Sequence, residues 1–86
     1  MILLIKIQDG TGFVSIEQMH SILVDKKDGK IFIVGMHENR TFTLGQYSSV
    51  KVAKKVINNL LRDYKEMFFD SDNEYWYKVF EMPEYQ

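Results

Sequence analysis

Eighty-six residues with no cysteine and a net charge of −1 make one domain that must stand on packing, without disulfides or thiolate metal ligands. The near-neutral charge argues against strong non-specific binding to nucleic acid. A chain of this size buries roughly 60–65% of its unfolded surface, so net stability is expected at about 4–13 kcal/mol.

Charge is unevenly spread. Residues 1–61 hold eight Lys/Arg against five Asp/Glu, whereas residues 62–86 hold three against seven. Asp70, Asp72 and Glu74 crowd into five positions of that acidic end. The N-terminal run MILLIKI lacks a basic leader, is broken by Lys6 and meets Asp9-Gly10 too early for a signal peptide. No apolar run approaches the ~20 residues that cross a bilayer. The expectation is a soluble, cytoplasmic protein with no membrane partner.

Met1 to Ile7 reads as a first strand, apolar almost throughout and so expected to be buried on both faces. Asp9-Gly10-Thr11-Gly12 supplies a turn, because glycine takes the positive φ that a hairpin needs. Phe13 to Ile16 continues as a second strand. The alternation then slips between Ile16 and Met19, which predicts a bulge or short turn at Glu17-Gln18. Met19 to Val24 and Lys30 to Met36 flank the polar loop 25–29, and 37–40 makes the next turn. Thr41 to Leu44 is a short strand ended by Gly45. Connections this short keep neighbours paired, so this half reads as a β-meander.

Ser48 or Ser49 is placed to cap a helix. Within it Val52, Ala53, Val56, Ile57, Leu60, Leu61 and Tyr64 recur at the three-and-four spacing of one buried face. Lys51, Lys54, Lys55, Asn58, Asn59, Arg62 and Lys65 form its solvent face. With no proline before Pro83, the helix extends to about Met67 or Phe68. Residues 70–73 are a polar link, and Glu74 to Met82 reads as a final strand stopped by Pro83. The predicted class is α+β: an antiparallel β-meander sheet of about five strands, one long α-helix packed on one face, and a C-terminal strand after the helix. The chain reads as a single domain, 1–86. Beneath the helix, Val52, Val56, Leu60 and Tyr64 are expected to meet Ile5, Ile22, Ile33 and Phe42.

The final strand is aromatic on both faces. Tyr75, Tyr77 and Val79 share one parity; Trp76, Phe80 and Met82 share the other. One reading covers both faces within the fold. The other leaves a Trp/Tyr/Phe patch as an interface, since these residue types are enriched where partners bind. Tyr75, Trp76, Tyr77 and Phe80 are therefore the candidate partner-binding residues, with a homodimer the commonest form of such an interface. His20 and His37 lie on different elements without the three or four convergent ligands of a zinc site, so no metal and no cofactor are expected. The acid pairs Asp70/Asp72 and Glu81/Glu84 sit in a polar link and a tail, where solvation keeps them ordinary. No nucleophile–base pattern or phosphate-binding loop occurs, so no enzyme is expected. Lys51, Lys54, Lys55 and Arg62 on the helix are the nucleic-acid candidate, against the simpler reading of a solvated lysine face.

Ile7-Gln8-Asp9 at a strand end, the stretch VSIEQMHSILV over 14–24, the LGQYSS entry to the helix with Ala53 and Val56 inside it, and the ending Glu81-Met82-Pro83-Glu84 together resemble a family. It is that of small uncharacterised proteins encoded by phages and integrative elements of Gram-positive bacteria. Its pattern combines a strand ending in QD, a helix entry of the form LGxYxS, and a terminal MP preceded by an aromatic residue. The likeness spans nearly the whole chain. Two positions depart from it: Val50-Lys51 stands where acidic residues are common, and Phe80 replaces the usual tyrosine near the end. The resemblance implies a mobile-element accessory protein acting on a host or defence protein. The function expected is thus a non-enzymatic protein–protein interaction module. A nucleic-acid-binding accessory using the basic helix face is the alternative.

Overall fold

A computed structural model describes residues 2–69 and 77–86; the polar link, the acidic cluster around Asp72, and Tyr75 and Trp76 lie outside these residues. β1 (Ile2–Lys6) pairs antiparallel with the three-residue β2 (Phe13–Ser15). The turn between them is closed by Asp9, whose Oδ1 accepts from the Thr11 amide at 2.9 Å and the Thr11 hydroxyl at 2.6 Å. Gly10 takes φ +78° there. These bonds favour the ionised carboxylate and hold the Asp9 pKa below its ordinary value. The slip in alternation resolves as a short 3₁₀ turn at Ile16–Gln18.

β3 (Ser21–Lys27), β4 (Lys30–His37) and β5 (Arg40–Tyr47) form the antiparallel meander. The polar loop expected over 25–29 contracts to Asp28-Gly29, both at positive φ (53° and 75°), which matches the twist of the flanking strands. Glu38-Asn39 makes the second two-residue turn. β5 does not stop at Gly45. Val34 pairs with Thr43 and Ile33 with Gly45, so Leu44 is the extra residue of a bulge and pairing resumes as far as Tyr47.

α1 (Val50–Phe69) follows, capped by Ser49, whose Oγ accepts from the Val52 amide at 3.1 Å. β6 (Tyr77–Glu81) then returns beside β1. The α+β class, the meander, the single long helix and the strand after it are all present. The strands are divided between two three-stranded sheets, β2-β1-β6 and β3-β4-β5, and β6 runs parallel to β1. A parallel partner is what a long helical crossover permits and a hairpin cannot.

Both sheets feed one apolar cluster. Leu3 and Ile5, Ile33 and Leu44, and Val56 and Leu60 are buried in it, with Val52, Tyr64, Ile22 and Phe42 packed against it. That is the predicted contact set. Two expectations fail. Leu61 is exposed, being one position past the buried stripe, and β1 is buried on one face only. A single helix covers one side of a sheet and leaves the other to water.

Candidate interaction surface

Leu3 and Ile5 point into the core with no exposed surface, so alternation turns Ile2, Leu4 and Lys6 the other way. The parallel register sets β6 residues beside them pair by pair: Ile2 with Tyr77, Leu4 with Val79, Lys6 with Glu81. On the opposite flank Ser15 lies by Leu4 and Phe13 by Lys6. The outer face of this sheet is therefore a short apolar array closed at one end by a cation and an anion. Tyr77 is 59% exposed, Phe13 55%, Ile2 44% and Val79 38%, while Leu4 is half-buried. Scattered exposed hydrophobes are ordinary, whereas neighbouring ones on one sheet face make that face a candidate interaction surface.

Of the candidate aromatics, Tyr77 stands on this face. Phe80 does not: at 9% exposure it belongs to the core, because alternation turns 77, 79 and 81 outward and 80 inward. Tyr75 and Trp76 lie outside the described residues. Ile2, Leu4, Val79 and Phe13 were absent from the sequence-derived set. The signal for them was the mismatch between a nearly all-apolar first strand and a chain with only one helix to cover it.

A second cluster closes the edge of β5. The Gln8 amide group receives the Gln46 N–H at Oε1 (2.9 Å) and donates from Nε2 to the carbonyls of Gln46 (3.0 Å) and Pro83 (2.9 Å). Its backbone N–H donates to the Leu44 carbonyl at 2.9 Å. One side chain thus acts as an added peptide unit along an edge strand and ties it to the first sheet and the tail. The Tyr47 hydroxyl donates to the same Pro83 carbonyl at 2.8 Å. Burial pushes the Tyr47 phenol up to about 12, against the smaller lowering effect of the neighbouring Gln8 side chain. So perturbed, it is a neutral structural donor and no base near neutral pH. Gln8, Leu44, Gln46, Tyr47 and Pro83, from three separate stretches of the chain, meet at this node. Matching of the chain to protein-family models, to curated proteins and to solved structures finds no similar protein.

The other candidates separate clearly. Lys51, Lys54, Lys55 and Arg62 are all exposed on the outer stripe of α1, away from the apolar sheet face. The two histidines, remote in sequence, are brought together: their rings stack at 6.1 Å between centroids and 16° between planes. His37 Nδ1 donates to the Gln18 carbonyl at 2.6 Å, and its Nε2 lies 3.9 Å from Glu38. Among the described residues no three His, Asp or Glu side chains converge as metal ligands. Nor is any described helix long and apolar enough to cross a membrane.

Proposed function

We propose that this chain is a non-enzymatic protein–protein interaction module whose docking surface is the outer face of the β2-β1-β6 sheet. The supporting observation is the exposure of Ile2, Tyr77 and Val79 side by side on the sheet face turned away from the core, with Phe13 beside Lys6 at its other end. The resemblance to phage and integrative-element proteins supports a mobile-element accessory acting on a host or defence protein in the bacterial cytoplasm. The test is capture from a bacterial lysate with tagged protein and a Tyr77→Lys variant. Since Tyr77 is exposed, the variant folds as the parent does; a host protein held by the parent and lost by the variant is expected. Equal retention by both would remove this face from the reading.

The basic stripe of α1 supports a second reading, a nucleic-acid-binding accessory. Lys51, Lys54, Lys55 and Arg62 line about 16 Å of helix, a length that can track several phosphates. Salt-titrated binding to single- and double-stranded nucleic acid decides it, and no binding at low salt eliminates it.

A further inference from the structure

The outer sheet face has a property that its apolar character alone does not convey: it is complementary to itself. Its two central columns read Ile2, Leu4, Lys6 on β1 and Tyr77, Val79, Glu81 on β6, level with one another because the strands are parallel and in register. Consider a two-fold axis lying parallel to the strands, between β1 and β6, just above the face. It keeps strand direction, exchanges the columns and lays one sheet over the other. Ile2 then meets Tyr77 of the partner subunit, Leu4 meets Val79 of the partner subunit, and Lys6 meets Glu81 of the partner subunit, each contact occurring twice. Apolar groups oppose apolar groups, and each cation opposes an anion. An antiparallel arrangement of the columns would instead bring the charged end of one copy over the apolar end of the other.

We infer that in the absence of its target this protein pairs with a second copy of itself through this face, in that register. The inference rests on the reading of the face as an interaction surface and names its occupant in the free protein. Neither Lys6 nor Glu81 is in a salt bridge with another described residue. Both charges are thus available to a partner. Sheets stacked face to face sit about 10 Å apart with strands aligned to within about 30°, which tolerates the sheet twist while keeping the columns opposed. Phe13, on the far flank of β1, falls just beyond the edge of the partner's β6, where it shields the rim. Three strands and five residues span only about 14 by 16 Å. At about 450 Å² over both copies this is smaller than even the weak, transient class of interfaces, and pairing is expected only at high protein concentration, on the order of 0.1 mM and above.

Charge reversal tests the register, read by sedimentation across a concentration series. Lys6→Glu leaves acids at both charged positions, so two such copies oppose anion to anion; Glu81→Lys leaves cations at both. Each variant alone is expected to lose at least about tenfold in association. An equimolar mixture of the two is expected to pair again, because the acidic copy complements the basic one. Rescue in the mixture cannot come from repair within either chain, since each still carries its own like charges. Circular dichroism confirms that both variants are folded. Wild type monomeric up to about 1 mM, or single variants that pair as well as wild type, overturns the inference. So does a mixture that stays monomeric. A monomeric wild type whose Tyr77→Lys variant still loses a captured host protein would end the self-pairing while leaving the interaction surface intact. Loss of neither would end both.

Discussion

Replacing Gln8 with alanine removes one side chain and three hydrogen bonds, two to Gln46 and one to Pro83, at 2.9, 3.0 and 2.9 Å. A typical intramolecular hydrogen bond contributes about 1 kcal/mol net. The Gln46 groups lie at a partly buried strand edge, so water recovers part of that loss. The Pro83 carbonyl keeps its bond from the Tyr47 hydroxyl. A cost of about 2–3 kcal/mol follows, a large share of the roughly 4–13 kcal/mol expected for a chain this long. In a thermal melt that is a fall of about 8–24 °C. Urea unfolding gives the free energy directly, with an unchanged slope expected because the surface exposed on unfolding is the same. Gln8→Glu serves as the sharper control: it can still accept from the Gln46 N–H but turns a carboxylate toward two carbonyls. It should cost at least as much as alanine at neutral pH. A Gln8→Ala variant within about 0.5 kcal/mol of the parent, in the range of neutral surface changes, would show that the amide does not join the tail and the two sheets.

Leu60→Ala, at a fully buried position facing both sheets, should cost about 2–5 kcal/mol in urea unfolding; a loss under about 1 kcal/mol would contradict helix-on-sheet packing. Gly45→Ala places a Cβ 3.0 Å from the Tyr47 ring, which its bond to Pro83 holds in place. A loss of about 1–3 kcal/mol is expected, and a neutral result would mean the ring yields freely. Tyr47, neutral and buried when folded with its pKa raised to about 12, ionises near 10 when unfolded. Its contribution is complete below about pH 10 and is lost as pH rises toward about 12. The parent should therefore lose stability over that window, and Tyr47→Phe should lose less of it. Parallel alkaline profiles for the two proteins would refute the assignment.

The helix and its contact set were legible because a 3.6-residue period over the thirteen positions from Val52 to Tyr64 leaves little choice of buried face, and Ser49 marks its start. The meander was legible from its turn residues. What the sequence concealed were relations between distant segments. Nothing local in Tyr77–Glu81 says that its neighbour will be β1 and that the two will run parallel. Gly45 looked like a strand end because glycine usually is one; the bulge at Leu44 that carries β5 past it depends on pairing with Ile33 and Val34. By residue type Phe80 and Tyr77 belong to one aromatic patch, and only the position of the core separates them. Gln8, a polar residue after an apolar strand, gave no sign that it would bond to residues at positions 46 and 83.

The most direct measurement places a photo-crosslinking side chain at Tyr77, on the outer sheet face, and separately at Lys55, on the basic stripe of α1, and irradiates cells producing each form. Protein adducts from position 77, whether to a host protein or to a second copy, with none from position 55, are the expected result. An absence of protein adducts at 77, or nucleic-acid adducts at 55 in their place, would contradict the assignment of the sheet face as the working surface.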